Sequence, residues 1–495
     1  MLQTIDWHAR AKSVQLPNRP FIDGQYVDSV SNETFACVYP GDGRLLTQVA
    51  SCNEADVDRA VRSARKAFNA GVWSRMAPAD RRKILLRFSE LILANREELA
   101  LLETLNVGKP IANAFNGDVV SAANCIAWYA EAIDKVYGEV AATAHEMTTL
   151  VVREPLGVVA AVVPWNYPMS MAAWKLGPAL ATGNSVVLKP AEQSPFTALK
   201  FGELAIEAGL PAGVLNVVPG LGHIAGKALG LHMDVDCVGF TGSTEVGKYF
   251  MQYSGQSNIK RIGLELGGKS PQVVLADCDD LDAAAAGVAA GIFANTGQVC
   301  NAGSRLIVDE KVRDALFEKI AAHARSFTPG DPLDATTRMG SMVTEEQMDR
   351  VLGYIDAGRA EGATTLIGGS RVRVETGGFY IEPTIFDRVR NDMTIAREEI
   401  FGPVLSAITV KGFDEAMEVA NDTIYGLAGA VWTGSVKNAH RAAKAIKAGV
   451  VWVNCFDRGS MAVPFGGFKQ SGFGRDKSLH AMDKYTDLKA MWFAH

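Results

Sequence analysis

The stretch Leu156-Gly-Val-Val-Ala-Ala-Val-Val-Pro-Trp-Asn-Tyr-Pro168 decides the fold class of this 495-residue chain. Its unbroken apolar run, stopped by proline, is typical of a strand that is buried on both faces. The pattern after it predicts a helix over 169–180, a strand over 185–188, a helix over 195–208, and strands over 214–218 and 235–240. This alternation predicts an α/β fold with a doubly wound, open parallel sheet.

Outside this region the apolar residues recur either at helical spacing or in the alternation of a half-buried strand. Helical spacing over Asn53–Ala100 and Val119–Tyr137 predicts helices that cover a face of the sheet, and an Ala-rich helix is predicted over 283–294. Residues Thr143–Arg153 alternate like a hairpin, and Leu488–Phe493 alternate like a late strand. The chain therefore combines α/β units with a small amount of antiparallel sheet.

The composition limits the classes of function. A length of 495 residues suggests two or three domains, and 48% hydrophobic with 21% charged residues is typical of a globular protein. A net charge of −6 argues against a surface for nucleic acid or anionic membrane. The first residues lack the apolar core of a signal peptide, and no apolar run reaches the ~18 residues needed to cross a bilayer, so we expect a cytoplasmic protein. Seven cysteines without CxxC pairs predict neither disulfides nor a metal site.

Polar segments follow the predicted strands, where ligands of such sheets bind. Asn166 lies between two prolines after the first strand, and Lys189 and Glu192 follow the second. A carboxylate at that strand end can accept hydrogen bonds from ribose hydroxyls and repels a 2′-phosphate, so Glu192 favours NAD over NADP. After the fourth strand, Gly242 and Gly247 depart from the GxGxxG spacing, yet a helix that opens with glycine still offers N–H groups to a pyrophosphate.

The segment Phe293–Arg305 carries the candidate nucleophile, Cys300. A cysteine in a long chain is most often a small buried hydrophobe, and six of the seven keep that interpretation: Cys37, Cys52, Cys125, Cys237, Cys278 and Cys455. The neighbours of Cys300 are unusual for a core residue because they include Asn295, Thr296 and Gly297. We therefore expect an exposed turn that presents a reactive thiol.

This segment and a second one, Leu264-Glu265-Leu-Gly-Gly-Lys-Ser270, together resemble the active site of the aldehyde dehydrogenase superfamily. Glu265 lies 35 residues before Cys300. The resemblance runs from about residue 20 to the end. It implies a Rossmann-type NAD-binding domain (1–137 and 158–267), an α/β catalytic domain (268–479) and a small β oligomerisation arm (138–157 and 480–495). The arm implies a homodimer or homotetramer.

The resemblance also implies the chemistry. Cys300 attacks an aldehyde as a thiolate, Asn166 and the backbone N–H of Cys300 hold the oxyanion, and hydride passes to NAD to leave a thioester. Glu265 then activates the water that releases the acid. Lys175 and Asp476 resemble a pair that relays water. No metal is expected.

The remaining implied contacts fall into two sets. The cofactor, NAD with NADP disfavoured, would contact Pro164, Trp165, Lys189, Glu192, Gly222, Phe240, Gly242, Ser243, Val246, Gly247, Leu266, Glu399 and Phe401. The aldehyde would contact Asp118, Tyr167, Trp174, Ala294, Asp457 and Phe465.

The closest likeness within the superfamily is to bacterial enzymes of γ-glutamyl-γ-aminobutyraldehyde and 4-guanidinobutyraldehyde, in polyamine or arginine catabolism. It rests on Tyr129–Tyr137 and Gly474–His480. Ala294 stands where relatives usually have an aromatic wall, so we expect room for a long substrate tail. Asp118 and Asp457 are predicted acceptors for a cationic tail, and Arg458 would offset part of that charge. Broad specificity follows, with short free aminoaldehydes used less well.

Four other functions stay open at this point. A dehydrogenase of aliphatic or aromatic aldehydes would share every catalytic residue. A CoA-acylating dehydrogenase would pass the acyl group to a thiol, which Glu265 and Glu192 count against. A cofactor-free cysteine hydrolase needs a histidine, and none of the eight lies in a recognisable catalytic segment. An inactive binding protein is disfavoured by the intact Cys300 and Asn166.

Overall fold

The computed structural model describes residues 2–495. Its helices are α1 Trp7–Ser13, α2 Glu54–Ala70, α3 Pro78–Ala94, α4 Arg96–Val107, α5 Ile111–Asn113, α6 Val119–Ala132, α7 Pro168–Ala181, α8 Phe196–Ala208, α9 Lys227–Leu231, α10 Thr244–Gln256, α11 Leu281–Phe293, α12 Arg313–Ala324, α13 Glu345–Ala360, α14 Thr394–Arg397, α15 Gly412–Asn421 and α16 Val436–Ala445. Its strands are β1 Phe21–Ile22, β2 Gln25–Tyr26, β3 Thr34–Val38, β4 Leu45–Ala50, β5 Glu139–Ala141, β6 Met147–Pro155, β7 Val158–Val162, β8 Ser185–Lys189, β9 Leu215–Val217, β10 Cys237–Thr241, β11 Arg261–Glu265, β12 Pro271–Val274, β13 Arg305–Asp309, β14 Thr364–Ile367, β15 Arg371–Val372, β16 Tyr380–Ile381, β17 Thr384–Asp387, β18 Val404–Val410, β19 Ala428–Trp432, β20 Val450–Val453, β21 Gly472–Phe473 and β22 Thr486–Ala494.

The first sheet confirms the predicted doubly wound topology. Its eight strands lie in the order β2-β1-β9-β8-β7-β10-β11-β21, and the five from β9 to β11 run parallel. Every residue of β7 and β8 is buried, as the apolar runs predicted. Chain order reverses between β7 and β10, so the carboxyl ends of these strands open a crevice of the kind in which ligands bind.

One edge of this sheet comes from a distant part of the chain. The two-residue strand β21 pairs antiparallel with β11, with Gly472 opposite Glu265 and Phe473 opposite Leu264. The Ser471 hydroxyl donates to Gly267 O at 2.7 Å, and the Leu266 N–H donates to Ser471 O at 3.0 Å. The segment after Glu265 is therefore fixed by residues near the carboxyl end of the chain.

The second sheet has seven strands in the order β14-β17-β18-β13-β12-β19-β20, and only β14 runs antiparallel to its neighbour. Helix α11 packs on one face through Ala284, Val288 and Ile292, in a core that includes Leu306 and Trp432. This helix leads directly to the Cys300 segment.

The antiparallel sheet forms as predicted. Strands β5 and β6 make the hairpin, and β22 pairs with β6 from Thr486↔Pro155 to Ala494↔Met147. Leu488 and Trp492 of β22 are exposed. Within residues 2–495 no helix is both long and apolar enough to cross a membrane, and no group of three or more His, Cys, Asp or Glu side chains has the arrangement of a metal site.

Candidate active site

A cavity of about 510 Å³ opens at the carboxyl ends of β7, β10 and β11 and extends to the second sheet. Sixteen predicted site residues line it: Asp118, Pro164, Trp165, Asn166, Tyr167, Trp174, Gly242, Ser243, Glu265, Leu266, Cys300, Glu399, Phe401, Asp457, Phe465 and Asp476. Eight others do not: Lys175, Lys189, Glu192, Gly222, Phe240, Val246, Gly247 and Ala294. The topology thus brings most of the predicted residues to one place.

The Cys300 segment is not the exposed turn that its composition suggested. Asn295, Thr296 and Gln298 are buried, and Cys300 is half-buried with a face on the cavity. Helix α11 ends at Phe293, after which Asn295 and Thr296 adopt left-handed backbone angles, with φ of 48° and 55°. Such angles are uncommon outside glycine and are held here by surrounding contacts.

Those contacts are hydrogen bonds made by the polar side chains themselves. The Asn166 amide donates to Gln298 O at 3.0 Å, and the Asn295 amide donates to Asn166 O at 3.2 Å. The Val343 N–H donates to Gln298 Oε1 at 3.0 Å. Because an amide carries two N–H donors, Asn166 keeps one for a ligand in the cavity. We did not single out Gln298 from the sequence, since nothing in its pattern marks it as a buried support.

The surroundings of Cys300 favour the neutral thiol over the thiolate. Burial, with the carboxylates of Glu399, Glu265 and Asp457 nearby, raises its pKa to about 12. A base must therefore remove the thiol proton before or during attack.

Glu265 is the last residue of β11, and its carboxyl group is the candidate for such a base. Its side chain is buried, lines the cavity, and has no hydrogen-bond partner for either carboxyl oxygen within residues 2–495. Burial and the carboxylate of Asp476 hold its pKa well above its usual range, against the opposing charges of Lys175 and Lys484. A raised pKa suits a group that must take up a proton and release it again.

The predicted pair of Lys175 and Asp476 is an ion pair. Lys175 Nζ lies 2.6 Å from Asp476 Oδ2, and both side chains are buried. Lys484 pairs with the other carboxylate oxygen, Oδ1. The sequence had not indicated Lys484, because it is one charge among several near the carboxyl end. Although burial acts in the opposite direction, the two ammonium groups lower the pKa of Asp476.

The start of α10 has the features of a phosphate site. Gly242 and Ser243 line the cavity, the Gly242 N–H donates to Glu265 O at 3.1 Å, and the Ser243 hydroxyl caps the helix by accepting from the Val246 N–H at 3.2 Å. A thirteen-residue helix leaves free N–H groups at this end. Val246 is exposed and does not line the cavity.

Two further residues predicted as cofactor contacts, Phe240 and Gly247, pack against neighbouring elements near this turn. The Phe240 side chain is buried and lies against Phe250, with ring centroids 4.8 Å apart. At Gly247 an added Cβ would lie 2.7 Å from Leu266, so glycine there lets α10 approach Leu266. Neither residue lines the cavity, so any contact with the cofactor would come from the backbone near them.

Lys189 and Glu192 lie beyond the cavity. Lys189 is buried, with Nζ 3.4 Å from Glu192 Oε2, and Glu192 is half-buried. Burial lowers the pKa of Lys189, and Glu192 opposes that effect. Gly222 is exposed at the start of a short π-helical segment, Gly222–Gly226.

Glu399 and Phe401 lie on the second-sheet side. Glu399 Oε1 accepts from the Gly268 N–H at 3.0 Å, and burial raises the pKa of Glu399 to about 7. Phe401 has a left-handed φ of 59°, and its ring meets Trp165 edge-on with centroids 5.2 Å apart.

Aromatic side chains make up much of the predicted substrate end. Tyr167, Trp174 and Phe465 line the cavity, and Trp174 meets Phe465 with ring centroids 5.4 Å apart. Ala294 is exposed and lies outside the lining, so the missing aromatic does not widen this cavity. The reason is the end of α11: as its C-cap, Ala294 has an extended backbone with ψ of 144°.

The two predicted acidic acceptors differ. Asp118 is buried and bound to Lys109 at 2.9 Å, and Lys109 Nζ also lies 3.6 Å from Glu103 and 3.8 Å from the centre of the Tyr167 ring. Asp118 is therefore not a free acceptor, and the sequence missed Lys109 because distant elements supply its partners. Asp457 is exposed and accepts from the Asn301 amide at 2.9 Å.

Comparisons with known proteins agree with this geometry. Residues 26–491 match the model of the aldehyde dehydrogenase family. The NADP/NAD-dependent aldehyde dehydrogenase PuuC of Escherichia coli K12 is 49% identical over 488 residues, which cover 99% of this chain and 98% of that protein.

Two crystal structures are closer still in sequence. The γ-glutamyl-γ-aminobutyraldehyde dehydrogenase of Burkholderia cenocepacia is 57% identical with a TM-score of 0.97, and 99% of each chain is covered. The indole-3-acetaldehyde dehydrogenase AldA of P. syringae, in complex with NAD+ and IAA, is 56% identical with a TM-score of 0.98, again over 99% of each chain. The expected fold is confirmed, and the chain belongs to the aldehyde dehydrogenase family.

Proposed function

We propose that this protein oxidises an aldehyde to its carboxylic acid with NAD, through a thioester on Cys300. The observation that carries the proposal is the convergence of Cys300, Asn166 and Glu265 on one cavity that also contains the capped start of α10. A thiol, an amide donor and an unpaired buried carboxyl are the three groups that this chemistry needs.

The residues present fit the dinucleotide. The free N–H groups in the first turn of α10 suit a pyrophosphate, and Glu399 on the cavity lining suits one ribose. Glu192, beyond the cavity, would reach the other ribose at the far end of the dinucleotide. Phe401 and Trp165 supply apolar walls, and Lys189 would hold the remaining ribose hydroxyls. When bound, NAD supplies the hydride acceptor.

The first half of the reaction concerns the thiol. Glu265 removes the proton from Cys300 Sγ, and the sulfur forms a bond to the aldehyde carbon. The carbonyl oxygen, now an oxyanion, accepts the free N–H of Asn166 and the backbone N–H of Cys300. The aldehyde hydrogen leaves as hydride, and a thioester remains on Cys300.

The second half is hydrolysis. Glu265 first releases the thiol proton to solvent and then takes a proton from water. The resulting hydroxide attacks the thioester carbon, and the acid leaves as Glu265 returns its proton to Sγ. Lys175 and Asp476 do not touch the thiol in this scheme. They set the electrostatic environment of Glu265 and can pass protons to it through water.

The substrate class that we propose is a long or γ-glutamylated aminoaldehyde, or a guanidinoaldehyde. The named activity of the Burkholderia cenocepacia relative supports it. The second candidate is a broader range of aliphatic or aromatic aldehydes. The aromatic lining by Tyr167, Trp174 and Phe465, and the indole-3-acetaldehyde activity named for the P. syringae relative, favour that candidate.

We also propose the domain division and assembly. Residues 1–137 and 158–267 would bind NAD, 268–479 would carry the nucleophile, and 138–157 with 480–495 would form an arm between subunits of a homodimer or homotetramer. The separate sheets support this, except that β21 of the second range pairs with the first sheet. The exposed Trp492 on the arm supports assembly of subunits. The seven free cysteines support a cytoplasmic location.

The test is NADH formation with a panel of amino-, γ-glutamylamino-, guanidino-, aliphatic and aromatic aldehydes, with identification of the product. We expect a free acid, with or without added coenzyme A. A thioester of coenzyme A would indicate the acylating reaction instead. Absence of NADH with every aldehyde would contradict the proposal.

A further inference from the structure

Lys477 is a charged residue of the cavity that the proposed reaction does not use. It lines the cavity beside Trp174 and Phe465, with Nζ 4.3 Å from the centre of the Trp174 ring and 5.5 Å from that of Phe465. Among residues 2–495 no side chain forms a hydrogen bond or a close ion pair with this ammonium group. A cation over two aromatic faces is stabilised by their quadrupoles, yet all three of its N–H donors stay available.

The surroundings of Lys477 contain charges of both signs. Asp457 and Arg458 also line the cavity, and Asp457 is close enough to act on the Lys477 charge. Asp476, next in sequence, is paired with Lys175 and Lys484. Asp118, also on the lining, is bound to Lys109. Burial lowers the pKa of Lys477, while Asp457 opposes that effect. An anion placed against the ammonium group would relieve the cost of its burial.

The backbone presents Lys477 in a fixed way. Lys477 and Ser478 both have left-handed angles, with φ of 58° and 51°. Two hydrogen bonds hold this turn: the Ser478 N–H donates to Met461 O at 2.7 Å, and the Tyr129 hydroxyl donates to Ser478 O at 3.2 Å. The ammonium group is therefore pre-positioned, which reduces the entropy lost when a ligand binds.

We propose that Lys477 selects aldehydes that carry a carboxylate at the end remote from the aldehyde group. The carboxylate would accept hydrogen bonds from Nζ, while the apolar part of the substrate would lie against Trp174 and Phe465. A γ-glutamyl group ends in such a carboxylate, and its ammonium group could face Asp457. The inference rests on the proposed function and narrows it, since a free aminoaldehyde would meet Lys477 with a like charge.

The experiment uses three aldehydes of one length: adipic semialdehyde, hexanal and ω-aminohexanal. In the wild-type enzyme we expect kcat/KM to be highest for the anionic aldehyde and lowest for the cationic one. Lys477→Met should lower the ratio of kcat/KM for adipic semialdehyde to that for hexanal by about tenfold, the range for loss of one partly buried charge contact. Lys477→Arg should keep most of the ratio. Asp457→Asn keeps an oxygen acceptor for Asn301 but removes a negative charge near Lys477. It should therefore raise the ratio of kcat/KM for adipic semialdehyde to that for hexanal.

A binding measurement separates this inference from the proposed reaction. Calorimetric titration with adipate needs no turnover, and we expect wild-type enzyme and Lys477→Arg to bind it and Lys477→Met to lose most of the affinity. Equal adipate binding by wild type and Lys477→Met, or an unchanged ratio of the anionic to the neutral aldehyde, would overturn the role of Lys477. Failure to oxidise any of the three aldehydes, with adipate binding still dependent on Lys477, would contradict the reaction and leave the anion site supported.

Discussion

Lys175 and Asp476 form a buried ion pair, with Nζ 2.6 Å from Oδ2, in a site where Asp476 also binds Lys484. The three groups carry one net positive charge beside the unpaired carboxyl of Glu265. That charge opposes the effect of burial on Glu265, so the pair influences how readily Glu265 gives up its proton.

Asp476→Asn should lower the free energy of unfolding by about 3–5 kcal/mol, because it leaves two buried ammonium groups without a counter-ion. The pKa of Asp476 is depressed in the folded state, so its contribution is complete above the ordinary aspartate pKa of about 3.9 and is lost as the pH falls. Denaturant unfolding of wild type and variant at several pH values measures this. A difference below about 1 kcal/mol at pH 7 would place the pair among weak surface contacts.

Cys300→Ser should reduce NADH formation by roughly 10⁴-fold or more, because a hydroxyl ionises far less readily than a thiol. NAD binding, measured by calorimetry, should stay close to that of wild type. Cys455→Ser is the matched control, since Cys455 is also half-buried but does not line the cavity. Turnover retained in Cys300→Ser would exclude this residue as the nucleophile.

The alkylation rate of Cys300 by iodoacetamide should rise steadily from pH 7 to pH 10 without a plateau. Only the thiolate reacts, and burial beside Glu399 raises the pKa of the thiol to about 12. Peptide mass spectrometry of the enzyme without cofactor follows this residue separately from the other six. A plateau below pH 8 would show that some group stabilises the thiolate in the resting enzyme.

Glu192→Gln should raise the ratio of kcat/KM for NADP to that for NAD by about tenfold, or about 1.4 kcal/mol of removed repulsion. The change also removes the negative charge 3.4 Å from Lys189, which leaves more of the ammonium charge for a 2′-phosphate. Glu203→Gln is the matched control, because Glu203 is also a half-buried carboxylate paired with a lysine, Lys200, three residues away. An unchanged ratio would show that Glu192 does not contact the adenosine ribose.

Ala294→Phe should leave the ratio of kcat/KM for hexanal to that for acetaldehyde unchanged, because Ala294 is exposed and outside the cavity lining. Trp174→Ala, which removes an aromatic wall, should alter this ratio. Steady-state NADH formation measures both variants. A large decrease for hexanal alone in Ala294→Phe would restore the sequence-based role of this position.

The sequence predicted the first sheet well, because strands such as β7 are buried on both faces and leave unbroken apolar runs between helices. It also brought Asn166 and Glu265 together, since one follows a strand of that sheet and the other ends one. Cys300 follows α11 on the second sheet, and only the family resemblance joined it to them. It could not predict β21, because two residues leave no periodicity. Nor could it identify the partners of Lys109 or the support from Gln298, which depend on contacts between distant segments.

The position of β21 has a consequence for how the molecule assembles. Because Gly472 lies opposite Glu265, the first sheet cannot be completed until the last part of the chain has been synthesised. Until then β11 is an open edge, able to pair with strands of other molecules. A fragment that ends before residue 472 should aggregate, and supplying the missing segment as a peptide should reduce that aggregation. The residue proposed as the base is thus among the last to be enclosed during folding.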